Sequence, residues 1–358
     1  MSGLEGGEEQ EKRGVFFLFL ENKCDFCGEC LEMCPYIQLE GKNEGEEFTK
    51  LVRGDKVEWL HQCITCFACN EYCGKGARPF DLILKRMEEE GNYVPFEMVK
   101  NVADHFWTDS EPKPVKLKDK VMSVCVMGRM VPWALQGKIF ENLTILQGRP
   151  YFCHVLYMHL GNESLVRERA ENTVKNLVKS GAEEIIFFHE DCYVLLKDLA
   201  PQFGIEVPFK VVHFFEYLRE FLLKNQNEIS PLNMKVAYQR PCASRFTPPE
   251  VENYLNEIFQ LIGVERVKRK FDGIDALCCG SDAGVQGMEV GGRGERLEPF
   301  RENNIQDAKN YGAEALAYFC PMCYRALKDK SVHAGLENYL ISDLCRLSLG
   351  EDLVGEES

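Results

Sequence analysis

GAEEIIFFHEDCYVLLKD, residues 181–198, and GAEALAYFCPMCYRALKD, residues 312–329, align without a gap. They share Gly-Ala-Glu at the start, Phe188 with Phe319, Cys192-Tyr193 with Cys323-Tyr324, and Leu-Lys-Asp at the end. In each, a short apolar run leads into a stretch of helical periodicity, so a strand feeds a helix. The likeness extends outward. Lys120-Val121 opens the first copy as Lys235-Val236 opens the second, and Phe152-Cys153-His154 stands in the place of Cys278-Cys279-Gly280. Two copies of one unit are expected, over about 118–230 and 233–348. Val121–Cys125, Ile185–Phe188, Val211-Val212 and Val236–Tyr238 read as short buried strands, and Glu163–Lys179 as a helix. That alternation predicts α/β layers with parallel pairing.

The chain has 358 residues, enough for two or three domains. Its 42 basic and 57 acidic residues give a net charge of −15, which argues against an electrostatic nucleic-acid binder. No apolar stretch approaches the ~18–20 residues of a membrane helix, and the run Val15–Leu20 is six residues long. Direct membrane insertion is not expected. Seventeen cysteines stand out. The expected compartment is a reducing cytoplasm, reached at most peripherally to the inner membrane through a partner. There, cysteines at short fixed spacings read as metal ligands rather than disulfides. Residues 1–14 are rich in Gly and Glu and read as a disordered tail. Residues 15–112 hold the first eight cysteines and end at Glu111-Pro112-Lys113-Pro114, which reads as a linker. Phe80–Glu90 and the run after Pro95 have helical spacing.

Cys24, Cys27, Cys30 and Cys34-Pro35 are followed by Cys63, Cys66, Cys69 and Cys73 at the same spacings. Each is a bacterial-type ferredoxin run, in which three thiolates on one loop hold three irons and the fourth ligand crosses to the other cluster. One 4Fe–4S cubane is then expected on Cys24, Cys27, Cys30 and Cys73, the other on Cys63, Cys66, Cys69 and Cys34. Structural zinc, the competing reading, would leave the third closely spaced cysteine of each run unused. Gly74 departs from the usual proline after the last cysteine but removes no ligand.

The last third reads Cys242, then Cys278-Cys279-Gly280, then Cys320-Pro321-Met322-Cys323. Each group is expected at a strand end or turn, where open α/β sheets form their crevice. Two adjacent thiolates suit an irregular or opened cluster better than a symmetric cube. Zinc with a spare thiol and plain buried cysteines are the alternatives.

This pattern resembles the CCG domain of the heterodisulfide reductase superfamily, and the resemblance spans about residues 15–348. It is similar also to the iron–sulfur subunits of glycolate oxidase, anaerobic glycerol-3-phosphate dehydrogenase and lactate utilisation. The resemblance implies an α+β multidomain protein: an N-terminal helical ferredoxin-like domain followed by two repeated α/β CCG modules. It implies a non-cubane 4Fe–4S cluster on Cys242, Cys278, Cys279, Cys320 and Cys323, fed by two cubanes. The expected function is an electron-transfer subunit that reduces a disulfide or related sulfur substrate. The alternative is a relay between a flavoprotein dehydrogenase and a quinone or membrane partner. Both make redox partner subunits close to obligatory.

The first repeat departs from the pattern. Met127 stands at the leading cysteine position, with Cys125 two residues early; Phe152 and His189 replace two further cysteines, and His154 replaces the glycine. Three readings are open for this half. It is a metal-free structural copy, a zinc site through Cys153, His189, Cys192 and His154 or Cys125, or one wall of a substrate pocket. Cys345 reads as buried on a helix. Gly291-Gly292-Arg293-Gly294 lacks the residues of a phosphate loop and reads as a loop near the cluster. Arg240, Arg245 and Arg293 read as solvated surface arginines, with charge neutralisation at the cluster as the second reading.

Overall fold

The computed structural model describes residues 18–91, 94–108, 110–281 and 293–353. The expected tail, residues 1–14, and Gly291-Gly292 lie outside them, as does the side chain of Arg293.

Among the described residues, the segment before Trp107 is helical and holds no strand. Its main elements are α1 (Glu29–Glu32), α2 (Glu44–Arg53), α3 (Ala68–Tyr72), α4 (Pro79–Glu90) and α5 (Phe96–Phe106). Local chemistry sets their ends. Asn43 caps α2 by accepting from the Glu46 N–H at 2.9 Å, three acidic residues fill the first turn, and Gly54 closes it. Pro79 opens α4 at its first position and the left-handed Gly91 ends it. Phe80, Ile83, Leu84 and Met87 form the buried stripe of α4.

Two sheets follow. The first holds β1 (Lys120–Cys125), β2 (Leu143–Gln147), β3 (Glu184–Phe187) and β4 (Lys210–His213), in the order β2-β1-β3-β4. The second holds β5 (Met234–Gln239), β6 (Val264–Arg266), β7 (Ala315–Tyr318) and β8 (Glu337–Leu340), in the order β6-β5-β7-β8. All pairs are parallel. The two expected copies thus share one topology. Near-continuous burial along β1, β5 and β7 is what helices on both faces demand. In each order the chain doubles back between the two middle strands, so β1/β3 and β5/β7 are switch points whose carboxyl ends open a crevice.

Of the strand ends or turns expected for the cysteine groups, the one before Cys278 is a turn, and Ala276-Leu277 lies outside any strand. Cys278-Cys279-Gly280 lies on an irregular loop after a single 3-10 turn, Gly273–Asp275. Its backbone is satisfied by side chains instead. Gln239 donates to the Leu277 carbonyl at 2.9 Å, and Arg301 donates to those of Cys279 and Gly280 at 2.8 and 2.7 Å.

The units share their cores. Phe67 stacks on His159 at 4.5 Å and Phe106 lies 4.7 Å from Phe152, joining the helical segment to the first module. Phe319 of the second module packs among Phe188, Phe214 and Phe215 of the first. Glu190, at the start of the helix Glu190–Val194, binds His213 at 2.6 Å and accepts from Ser244 Oγ at 2.6 Å. No helix among the described residues is long and apolar enough to cross a membrane.

A pH prediction follows from the last helix, Ile341–Ser348, which buries Cys345 as expected. Burial pushes the Asp343 carboxyl up to about 6, against the Leu340 N–H it accepts and the nearby Arg346. A raised carboxyl pKa means the folded state holds its proton longer than the unfolded chain does. Stability from this group is therefore greatest at acid pH and falls as pH rises through 4 to 6. Asp343→Asn is expected to raise stability at pH 7 by about 2 kcal/mol and to leave it little changed at pH 4. Urea unfolding at the two pH values checks it.

Candidate metal centre

The five C-terminal cysteines come together at the β5/β7 switch point. Cys242 begins a 3-10 turn after β5, and Cys320 caps the helix Pro321–His333 that β7 feeds, with Cys323 in its first turn. Their sulfurs make a continuous chain of contacts. Cys242 Sγ lies 3.3 Å from Cys278 Sγ, Cys279 is hydrogen-bonded to Cys278 and Cys323, and Cys323 to Cys320. Cys320 is held at about 7: the hydrogen bond with Cys323 is the main cause, burial opposes it, and His189 adds to it. Gly280 donates its N–H to Cys278 Sγ at 3.3 Å. Its φ is +68°, and an added Cβ would press on the Leu297 Cδ1 methyl at 2.7 Å, so glycine is favoured there. His154, its counterpart in the first repeat, keeps a left-handed φ of +63° despite its side chain.

The eight N-terminal cysteines fall on two loops of the same shape. Phe26 and Gly28 are left-handed in one, Thr65 and Phe67 in the other, at matching places in the two runs. A β-branched threonine at φ +57° is a costly outlier. The alternation turns backbone N–H groups toward sulfur: Thr65 donates to Cys63 at 3.4 Å and Ala77 to Cys73 at 3.4 Å. Cys24, Cys27 and Cys73 lie near enough to raise the Cys30 thiol, after the larger effect of burial. Cys69 is raised by burial first and then by Cys63, Cys30, Cys66 and Cys34. Burial pushes Cys34 up to about 12. Crowded thiols this reluctant to ionise fit a cationic metal core, which would supply the missing positive charge.

Two links join these loops to the second module. Tyr36, two residues beyond Cys34, accepts the Cys278 N–H at 2.8 Å. Around it, Cys34, Cys66 and Cys278 border one apolar cluster with Ile64, Leu277 and Leu297. Beside it, Glu71 of α3 pairs with Arg240 at 2.8 Å and with Arg245 at 2.5 Å. The Arg245 side chain is 4% exposed and also donates to the Ala276 carbonyl at 2.9 Å. The first reading of Arg240 and Arg245 as surface residues is corrected. Their partner, Glu71, lies 169 and 174 residues away in sequence, so local pattern gave no sign of it.

The first module brings its own sulfurs together at the β1/β3 switch point. Cys125, Cys153 and Cys192 are buried, with sulfurs within 4.8 Å of one another. Cys125 enters this group because β1 bulges between Ser123 and Cys125, where φ turns to +45°. Its thiol is held well below the usual range; burial opposes this, and hydrogen bonds from Cys153 and Cys192 overcome it. His154, expected as an alternative ligand, faces Tyr157 Oη at 3.3 Å instead. Burial and Arg169 press His154 down to about 3.

Between the two modules lies a cavity of about 760 Å³. Cys153, His189 and Asp191 line one side; Cys242, Cys279, Cys320 and Cys323 line the other. Arg129, Arg149 and Arg325 also line it, are exposed, and form no ion pair among the described residues. Sequence reasoning passed over these three arginines, Tyr36, Glu71 and Arg301. Only Tyr36 and Glu71 carried a signal, their closeness to a cysteine run.

A helical cysteine-loop segment followed by two α/β modules, with thiols at each switch point, defines a cysteine-rich redox-type protein. Residues 236–328 match the CCG cysteine-rich domain. The chain is 22% identical over 368 residues to a protein of Methanosarcina barkeri named as one subunit of dihydromethanophenazine:CoB–CoM heterodisulfide reductase, covering 86% of this chain and 88% of that one. The protein of the same name from Methanosarcina mazei is 23% identical over 372 residues, with the same coverage. The probable iron-sulfur-binding oxidoreductase FadF of Bacillus subtilis is 30% identical over 208 residues, 55% of this chain and 28% of that one. A crystal structure of a hypothetical protein from Helicobacter pylori shares the fold, with a TM-score of 0.59 at 14% identity, covering 96% of this chain and 77% of that one. Residues 236–328 thus carry a CCG cysteine-rich domain, and most of the chain is similar to heterodisulfide reductase subunits.

Arg245→Ala is expected to cost about 2 kcal/mol, since it removes the donor to the Ile274 and Ala276 carbonyls and leaves Glu71 with Arg240 alone. Limited proteolysis within 110–118, which carries no regular structure, should then accelerate relative to the parent protein.

Proposed function

We propose that this chain is an iron–sulfur electron-transfer subunit that delivers electrons to a sulfur substrate in the cavity between its two modules. Its units are those read from the sequence: a two-cluster segment over 15–112, a degenerate module over 118–230 and an intact one over 233–348. One 4Fe–4S cubane would be held by Cys24, Cys27, Cys30 and Cys73, and the second by Cys34, Cys63, Cys66 and Cys69. Cys242, Cys278, Cys279, Cys320 and Cys323 would hold a non-cubane 4Fe–4S cluster. Such clusters supply one-electron steps.

The observation that carries the reading is continuity. Cys34 and Cys66 border the same apolar cluster as Cys278, with Tyr36 bonded to the Cys278 backbone. Beyond Cys278, the run of sulfurs ends on cysteines that line the cavity. A path from loop to cavity needs no further mediator.

The substrate is a disulfide or related sulfur compound. Splitting RSSR′ takes two electrons and two protons and yields RSH and R′SH; a redox partner subunit supplies the electrons through the N-terminal loops. Arg129, Arg149 and Arg325, without ion pairs among the described residues, favour an anionic substrate in a chain of net charge −15. Partner subunits fit the relatives, which are named as subunits. A flavoprotein or a membrane quinone-reactive subunit has the required chemistry, and the cytoplasm is the proposed compartment. The second reading, a relay to such a partner without a substrate of its own, keeps the same wire but leaves the cavity unused.

Anaerobically purified protein is expected to carry about twelve irons per chain. Cys279→Ser should remove about four of them and the cavity-side EPR signal, while Cys30→Ser should remove about four and leave that signal. An anionic disulfide should perturb the cavity-side signal. A signal indifferent to every disulfide tried would favour the relay, and about eight irons in the parent protein would defeat the three-cluster reading.

A further inference from the structure

The two N-terminal cysteine loops share a shape but not their surroundings. Counted from the first cysteine of each, Ile64, Thr65, Glu71 and Tyr72 of the second loop stand where Asp25, Phe26, Glu32 and Met33 stand in the first. The chain's own modules cover the second loop. Ile64, Thr65 and Tyr72 are buried. Thr65 Oγ1 lies 3.2 Å from the His159 carbonyl oxygen of the first module, and the Arg245 guanidinium of the second lies 5.6 Å from the centre of the Tyr72 ring. Glu71 takes the charges of Arg240 and Arg245. Among the described residues the first loop has no such cover. Phe26 is 38% and Met33 37% exposed, and Asp25, Cys27, Glu29 and Glu32 are exposed beside them. Glu29 and Glu32 form no ion pair among the described residues. Glu32 is thus an exposed copy of Glu71 without its arginines.

We infer that the loop Cys24–Cys34 is the face on which the redox partner docks, and that the partner is a protein presenting arginine or lysine side chains beside an apolar contact. The partner covers this loop as the two modules cover its counterpart. Its cations meet Glu32, and Glu29 one turn earlier on α1, as Arg240 and Arg245 meet Glu71. Its apolar side chains lie on Phe26 and Met33, giving an apolar centre with a charged rim. The charge of the face has one sign. From Glu21 to Met33 the chain holds four carboxylates and one lysine, Lys23, and Lys75 is taken up by Asp25 at 3.3 Å. Such a face steers a basic surface toward it and repels an acidic one. Its place also suits the direction of flow. Cys27 is exposed whereas Cys63 is buried, and it is Cys34 and Cys66 that border Cys278. The inference rests on the reading of these loops as the way electrons enter, and adds to it the surface and the chemistry of the donor.

The test takes the full chain, purified anaerobically and reduced, with ferric cytochrome c as the probe, a small redox protein whose lysines ring its exposed haem edge. One electron leaves the chain for each haem iron taken from Fe³⁺ to Fe²⁺, and stopped-flow absorbance reads the rate. Replacing both Glu29→Gln and Glu32→Gln should lower the second-order rate constant by about fivefold at low ionic strength, with iron per chain unchanged. Met33→Ser should lower it by about twofold. Glu171→Gln, which removes an exposed carboxylate from the helix Ser164–Val178, should leave it as it is. Replacing both Glu29→Lys and Glu32→Lys should slow cytochrome c further and speed the same protein with its lysines succinylated, a reversal that damage to the loop would not give. Where the double variants lose iron, carbodiimide labelling of the parent chain with cytochrome c bound should find Glu29 and Glu32 protected and Glu171 not. An equal loss of rate with Glu171→Gln, or a rate and labelling indifferent to Glu29 and Glu32, would overturn the inference. Rates that follow Glu29 and Glu32 in a chain whose cavity-side signal ignores every disulfide would sustain the docking face and sink only the sulfur-substrate function. A chain that loses no iron with Cys30→Ser would sink the reading of the loops as the electron entry, and the inference with it.

Discussion

In a parallel sheet whose chain doubles back between its middle strands, the two carboxyl ends beside that break cannot be covered by the crossing helices. A crevice is left there. This chain meets the condition twice, at β1/β3 and at β5/β7, and every cysteine group outside the N-terminal loops sits at one of the two. The packing of Phe319 among Phe188, Phe214 and Phe215 then sets one module against the other. The shared cavity is a consequence of that packing, with thiols on both walls.

The N-terminal segment depends on the same constraint from outside. Its loops hold left-handed Phe26, Thr65 and Phe67, conformations that cost about 1–3 kcal/mol each and persist only where the surroundings over-determine them. The apolar contact of Phe67 with Phe80, His159 and Phe246, and the Glu71 pairing with Arg240 and Arg245, provide those surroundings. A separate apolar cluster of Tyr36, Ile64, Leu277 and Leu297 brings Cys34 and Cys66 up to Cys278.

Much of this was readable in one dimension. The two cysteine runs, the repeat and most of the strand positions follow from spacing and from apolar runs, because ligand spacing and strand periodicity are local properties. Cys125 illustrates the limit. Counted along the chain it misses the expected ligand position by two residues, yet a bulge in β1 brings its sulfur to Cys153 and Cys192. Ala276-Leu277 is apolar and short like the strands, yet it lies in a loop where Gln239 and Arg301 satisfy the carbonyls of Leu277, Cys279 and Gly280 in place of a neighbouring strand. Arg240 and Arg245 looked solvated because charge usually is, and an acidic partner far along the chain reversed that.

Residue order alone determined the α/β repeat, the loss of motif positions from its first copy, and the sets of thiols able to bind metal. Those depend on residue type and short-range spacing, which tertiary contacts do not alter. Only the folded chain decided which thiols lie together, that His189 lies beside both Cys153 and Cys320, and that the cavity lies between modules. Each of these depends on pairs separated by tens to hundreds of residues, whose meeting is set by helix and sheet packing rather than by any local pattern.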